Sequence, residues 1–421
     1  MISEATGDCT AADAADVNNG PLTGVRILDL TSVVLGPIAT QILGDYGAEI
    51  IKIENLDGDL MRSNGVSLHP GMSSIFLAVN RNKRSLAINL KTAEGVQVIK
   101  RLIPTVDIFI HNMRVSAIER LGLGYAAVSA ISPDIVYCAA PGFGQSGPDR
   151  DKPAFDDIIQ AACGIASLNS VGRERPEYAP TLMADKTAGM AVVNAVLAAL
   201  FHRTRTGRGQ YVEVPMFETM VAFTLAEHLG GLTFDPPPAR AGYARLLSGG
   251  RRPAPTADGY IAILPYTGEH WAAFFRISGR PDLAEKFSVD DRQARNKLIT
   301  EMYSALTEIT CERTTAEWVD ICAGLDIPVT PLYGIDDLID HPHLKAVELF
   351  SCADHPTEGP IRFVQPPTRF SATPARVRFH APVLGQHSEE VLREAGYSDP
   401  EIVVLRERRI VAGAVSRSND D

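Results

Sequence analysis

Paired cysteines are the first thing this sequence lacks. Its six cysteines, Cys9, Cys138, Cys163, Cys311, Cys322 and Cys352, are scattered, and no CxxC pair marks a zinc or dithiol site. Positive charge is also scarce: 40 Lys and Arg stand against 51 Asp and Glu, a net charge of −11. Nucleic-acid binding rests on clustered cations, so that class is disfavoured, while an anionic small molecule in a local basic pocket is still admitted. No apolar run reaches the roughly 20 residues that span a bilayer. The longest, Ala188 to Phe201, is broken by Asn194. The first 20 residues hold acids but no Lys or Arg; they read as a disordered lead-in, not a signal peptide. HExxH, GxSxG and Walker patterns are missing, which removes the easily read hydrolases and nucleotide triphosphatases. A reduced, cytoplasmic protein with no membrane or nucleic-acid partner is the expectation.

What is present is α/β patterning. The 421 residues leave room for two or three domains at roughly 100–200 residues each. Strands are expected at Val25–Leu30, Glu49–Glu54, Ser85–Leu90, Asp107–His111 and Ile135–Ala140. Helices are expected from Gly36-Pro37 to Tyr46 and over Ala93–Ile103. That alternation implies βαβ units and a largely parallel sheet. A long helix over Thr187–His202 is apolar all round, which reads as buried. The Pro-, Gly- and Arg-rich stretch Gly230–Arg252 reads as a linker or mobile loop. A second α+β segment begins at Ala257. Between Phe363 and Val404, prolines at 366, 367, 374 and 382 suit an extended tail that ends in a helix near Glu389–Glu394.

Two glycine motifs act as decoys. Gly142, Gly144 and Gly147 match GxGxxG after a strand, but Pro148 and Pro153 follow where a helix would have to start. A flexible loop beside a site fits better than a dinucleotide cradle. Gly122-Leu123-Gly124 follows a helical stretch and reads as a turn. His341-Pro342-His343 reads as a surface turn and not a metal site. Asp185, just ahead of the long helix, has two readings. It is a helix N-cap, or a carboxylate kept ionised by N–H groups and the helix dipole, as a carboxylate nucleophile must be. The dense run Asn80–Ser85 is either a solvated surface or an anion pocket at the strand ends.

Several of these segments together resemble the family III CoA-transferases, which include formyl-CoA and carnitine CoA-transferases, with α-methylacyl-CoA racemase as a cousin. The resemblance rests on Leu22–Thr31, Gly36-Pro37, Gly47–Glu54, Asn82–Ser85 and Glu119–Gly122. It continues through Gly142–Pro148, Thr206–Val212 and Ala381–His387, and covers about residues 21 to 410. It implies a Rossmann-like large domain with a mostly parallel sheet, a smaller α+β domain, and a homodimer of interlocked rings. The implied division is a lead-in at 1–20, the large domain at 21–218, a linker at 219–256, the small domain at 257–325, and a return to the large domain over 326–421.

The resemblance also implies chemistry. Asp185 takes the place of the nucleophile, attacking an acyl-CoA to form a mixed anhydride and then a β-aspartyl-CoA thioester. CoA and acyl-CoA are substrates, a carboxylic acid is the acceptor, and no cofactor is tightly bound. Ile88, Asn89, Leu90, Lys91, Asn112 and Arg120 map onto the adenosine-phosphate pocket. Ala154, Phe155 and Asp156 map onto the pantetheine and acyl end. Val34 maps onto a substrate-contacting position, and Gly142, Gly144 and Gly147 onto a loop that offers N–H donors to an oxyanion. Phe155 stands where the racemases carry a histidine, and a phenyl ring exchanges no proton. Val34 and Phe155 suggest a larger or less polar acyl acceptor. A racemase-like isomerase and a non-catalytic CoA-binding protein are the alternatives.

Overall fold

The computed structural model describes residues 20–248, 250–287 and 292–413; the lead-in over 1–19 and the last eight residues lie outside the described residues. The chain divides into two compact units. The first joins the N-terminal segment through Cys163, Ala179–Val221, and everything from Val347 onward.

Within the first unit, β1 (Arg26–Leu30), β2 (Glu49–Glu54), β3 (Lys83–Ile88), β4 (Ile108–His111), β5 (Val136–Ala139) and β6 (Gln210–Glu213) form a parallel sheet in the order β3-β2-β1-β4-β5-β6. β1 to β5 are almost wholly buried, as both faces of a parallel sheet covered by helices require. Leu28, Ile51, Leu86, Phe109 and Tyr137 meet Ile99 and Leu102 from the helix Ala93–Leu102. Leu392 and Ile402, from the far end of the chain, complete the same core. Strand order reverses between β1 and β4, which opens a crevice at their C-terminal ends where ligands of such sheets bind.

The helix Met183–Thr206 is longer than the sequence pattern drew it, and it is buried on one face only. Ala184, Asp185, Ala188, Gly189, Val192, Val193, Val196 and Ala199 turn inward, while Met190 and Phe201 are exposed. By length and apolarity alone it could cross a membrane. Instead its small residues let it lie close against the helix Leu35–Asp45. A Cβ on Gly189 would meet the Leu35 carbonyl oxygen at 2.7 Å and Ile38 Cγ2 at 2.6 Å.

The second unit comprises Gly164–Tyr178 and Ala222–Ala346. Its sheet is β7 (Ala254–Pro255), β8 (Tyr260–Ile263) and β9 (Val329–Pro331), antiparallel throughout. Trp271, Phe274, Phe275, Met302 and Trp318 make a separate core. The helix Met216–His228 runs through the position where the linker was expected to begin.

The return to the first unit carries an unforeseen hairpin, β10 (Phe350–His355) with β11 (Gly359–Val364), and a final strand, β12 (Val411–Ala412). β12 pairs antiparallel with β3 and closes that edge of the large sheet.

Candidate active site

The site grows out of the turn after β1. Asp29, fully buried, accepts from the Thr31 backbone N–H at 2.9 Å, from its hydroxyl at 2.5 Å, and from the Thr40 hydroxyl at 2.6 Å. Burial alone would raise its carboxyl, but Lys83 at 3.4 Å and Lys52 outweigh that and hold it below the usual range. Lys52 Nζ, also buried, donates to the Thr31 carbonyl and to Asp59, both at 2.9 Å. The other Asp59 oxygen accepts from Val33 N–H at 3.1 Å. That contact holds Val33 at φ 71°, a left-handed conformation that a β-branched residue seldom adopts. Asn112, just after β4, spans the crevice: it accepts from Ser32 N–H at 3.0 Å and donates to the Ser32 carbonyl at 2.8 Å. A backbone held in a costly conformation by several convergent contacts is a signature of functional sites.

Two cavities flank this turn, and Ser32 lines both. The larger, about 560 Å³, is walled by β1, β2 and β3 ends and the loop Asn55–Asp59, and includes Ile88, Asn89, Leu90, Lys91, Met113 and Leu121. Four of the expected nucleotide contacts are thereby gathered in one cleft. Arg120 is exposed beside it and is not part of its wall.

The second cavity, about 260 Å³, is lined by Val33, Leu35, Asn112, Arg114, Gly142, Arg150, Lys152, Ala154, Phe155, Asp185 and Met216, among others. Asp185 occupies the third position of its helix, not the N-cap, which is Leu182. Its carboxylate makes no hydrogen bond with any described residue. The role of a capping acid falls to Asp156, whose Oδ2 accepts from the Asp185 backbone N–H at 3.0 Å. Gln160 Nε2 donates to the other Asp156 oxygen, and Gln160 Oε1 accepts from Ala179 N–H at 2.9 Å. Burial, with the like charge of Asp156 second, pushes the Asp185 carboxyl up to about 7. The expectation that N–H contacts keep it ionised is therefore wrong for the free protein. Its own carboxylate receives no N–H, and desolvation favours the neutral acid.

Other expected positions fall differently. Val34 is 3% exposed and packs with Met61, Met72, Phe76 and Ala381, so its neighbours Val33 and Leu35 line the cavity in its place. Asp156 is buried behind the wall instead of in it. Among the loop glycines only Gly142 reaches the cavity. A Cβ there would lie 2.3 Å from that of Ala154. Gly144 N–H already donates to Glu218 Oε1 at 2.9 Å, and Gly147 N–H to the Gly144 carbonyl at 3.1 Å, so neither is free for an oxyanion.

The cations of Asn80–Ser85 are not an anion pocket. Arg81 grips Asp45 through two bonds at 2.9 and 2.7 Å, Lys83 faces Asp29, and Arg84 bridges Glu390 and Glu394. His111 is buried beside Phe109 and Tyr137, and burial lowers its imidazole to about 4. Tyr266 and His270 belong to the second unit. Sequence reasoning missed Asp59 as the anchor of the turn, and Arg114, Arg150 and Lys152 as cavity wall. Charged residues within a few positions of the matched motifs were the only available signal.

Comparison with known proteins matches residues 22–388 to the family model described as CoA-transferase family III. The mouse (Mus musculus) succinyl-CoA:glutarate CoA-transferase is 32% identical over 377 residues, covering 89% of this chain and 86% of that one. The succinyl-CoA–L-malate CoA-transferase beta subunit of Chloroflexus aurantiacus is 31% identical, covering 93% and 98%. Among solved structures, that of Rv3272 from Mycobacterium tuberculosis superposes with a TM-score of 0.77 at 29% identity, covering 88% of this chain and 99% of that one.

Proposed function

This chain belongs to CoA-transferase family III, and from that premise we propose that it moves CoA from an acyl-CoA donor to a free carboxylic acid through covalent intermediates on Asp185. The observation that carries the reading is the placement of Asp185. Among the described residues its carboxylate is the one acid in the lining of the smaller cavity and has no hydrogen-bond partner, and Ser32 joins that cavity to the cleft of Ile88–Lys91. A CoA lying with its nucleotide in the larger cleft brings its thioester past Ser32 to Asp185.

The steps balance as follows. An Asp185 oxygen attacks the thioester carbonyl, the C–S bond breaks, and CoA leaves as thiolate from a mixed anhydride. The thiolate attacks the Asp185 carbonyl carbon of that anhydride, expelling the donor acid as carboxylate and leaving a β-aspartyl-CoA thioester. The acceptor carboxylate attacks this thioester and releases thiolate again. The thiolate then attacks the acyl carbonyl, forming the new acyl-CoA and restoring the Asp185 carboxylate. Covalent catalysis of this kind retains the thioester energy through every step. Phe155 in the wall offers no proton, which speaks against α-carbon isomerisation with two bases. The reading includes an interlocked homodimer, supported by the exposed Met190, Phe201, Ile158 and Leu182 on and beside the long helix.

Succinyl-CoA, a donor named for both relatives, is the first to test. Intact-protein mass spectrometry after incubation with it and quenching with hydroxylamine or borohydride should show an adduct at Asp185. Asp185→Ala and Asp185→Asn should show none and should lose CoA exchange by about 1,000-fold or more, as loss of a covalent nucleophile does. Unreduced exchange in Asp185→Ala ends the proposal.

A further inference from the structure

The helix that carries Asp185 starts without a cap of its own. The first N–H groups of a helix need partners from outside it, and the N-cap residue, Leu182, supplies none from its side chain. The run into the helix is two successive three-residue turns. Thr181 N–H donates to the Ala179 carbonyl and Met183 N–H to the Thr181 carbonyl, each at 2.7 Å. Leu182, at the centre of the second, has φ −68° and ψ 70°, the values of an inverse γ-turn. The same run is a junction in the chain. Gly164–Tyr178 belong to the second unit, and Ala179 is the first residue back in the first. A junction closed only by such short turns needs its direction fixed from elsewhere.

One wholly buried side chain, Gln160, supplies that. Its Oε1 accepts from Ala179 N–H at 2.9 Å. Its Nε2 donates to the Asp156 carboxylate and to the Thr181 and Ala179 carbonyls at 3.3 and 3.5 Å. The carbonyls that close both turns therefore face the same amide. Asp156 lies one turn earlier on the helix Asp156–Ala162, and its other oxygen accepts from Asp185 N–H at 3.0 Å. The partners also settle which way the amide points. A carboxylate and two carbonyls call for the N–H donors, and the Ala179 N–H calls for the oxygen. Every partner of Gln160 is thus either in the run into Asp185 or bonded to Asp185 itself. Gln160 lines neither cavity, so it offers the substrate no contact.

Resting on the transferase reading, we infer that Gln160 is a positioning residue for Asp185, clamping the Ala179–Thr181 turns and Asp156 so that the carboxylate meets the thioester carbonyl at reacting distance. No bond is made or broken at Gln160. A side chain that served stability alone would lower the number of competent sites and leave each of them as fast as before. A positioning residue acts on the rate at each site, because about 1 Å of misplacement costs on the order of 100-fold.

The test uses the full chain as wild type, Gln160→Met, Gln160→Glu and the reversed pair Asp156→Asn/Gln160→Glu, and follows labelled succinate passing into succinyl-CoA. Gln160→Met should lower kcat by about 100-fold. KM for succinyl-CoA should stay within about 3-fold of wild type, since both cavities keep their walls. Single-turnover formation of the Asp185 adduct should slow by the same factor and reach the wild-type amount. Gln160→Glu sets two carboxylates face to face and should lose at least as much. In the reversed pair the new amide at 156 donates to the new carboxylate at 160 and keeps its oxygen for the Asp185 N–H, so kcat should return to within about 10-fold of wild type. A kcat for Gln160→Met within about 3-fold of wild type, a loss confined to KM, or a loss matched by missing adduct sites overturns the positioning role. If Gln160→Met does not fold, a reversed pair no faster than Gln160→Glu overturns it. No adduct in wild type is the separate failure of the transferase reading. Amide hydrogen exchange over residues 179–185 then tests the clamp alone: it should be faster in Gln160→Met, and equal protection overturns the clamp whatever the reaction.

Discussion

Asp185 is a carboxyl whose environment opposes its ionisation, and that has measurable consequences. Folding raises it from 3.8 to about 7, chiefly by burial. The shift is upward, so ionisation works against the fold: the cost is absent below pH 3.8 and complete above about pH 7. Asp185→Asn should therefore melt a few degrees above wild type at pH 8, with a smaller gap at pH 5, by scanning calorimetry. The nucleophile is the ionised form, so CoA exchange should rise with pH through about 7 in the free enzyme. Asp156 is the charge that can be removed without losing the contact it makes, because an Asn side-chain oxygen still accepts from the Asp185 N–H. Asp156→Asn should move the pH midpoint of kcat/KM down by about one unit, as loss of a near like charge does. A midpoint that stays in place would leave Asp156 with a capping role only. Asp185 drew attention by its place at the start of an apolar helix, which by itself read equally as a cap; the nucleophile's role came from the family resemblance. Its protonation state was not, because that depends on Asp156, brought in from another helix.

At the scale of elements, the turn after β1 stands on a buried framework of charge. Asp29, Lys83, Lys52 and Asp59 are nearly inaccessible, and Arg62 forks onto Glu54 through two bonds of 2.7 Å, which, against the opposing effect of burial, brings that carboxyl to about 2. Removing one member strands its partner. Lys83→Met should cost about 3–5 kcal/mol, read from denaturant unfolding, because Asp29 is left buried with its charge incompletely matched. A loss under about 1 kcal/mol would show the framework to be dispensable, as exposed pairs are. Strands β1 to β5 were readable from their short apolar runs, and so were the helices ahead of β2 and β4; the short helices Ser74–Val79, Val115–Arg120 and Tyr125–Ile131 were not. The purpose of Asn80–Ser85 was not readable. Its acids, Asp29, Asp45, Glu390 and Glu394, are distant in sequence, and a basic run looks the same whether it meets a ligand or its own fold. The hairpin β10–β11 was hidden for a different reason: its strands are only partly buried and lack the continuous apolar runs of the large sheet.

The whole molecule keeps its candidate chemistry within the first unit and builds a second core of its own around Trp271 and Trp318. The prolines beyond Phe363 marked an extended tail, while its return to the large domain was implied only by the family resemblance; the pairing of its last strand was not legible, since two residues carry no periodicity. If the chains interlock, dilution should release no monomer, and the unfolding midpoint should rise with protein concentration. Analytical ultracentrifugation across a wide concentration range checks the first point, and a monomer at low concentration would contradict the interlocked arrangement.

The edge strand β12 has a further consequence, in time instead of space. Its partner β3 leaves the ribosome early, while Val411 and Ala412 leave among the last residues of the fold. Until they emerge, the Ala87–Ile88 end of the β3 margin lacks its strand partner, an open edge of the kind that recruits other strands. A chain that stops just before Val411 should therefore appear more in the insoluble fraction than the full chain does, and equal solubility of the two would show that this edge needs no cover.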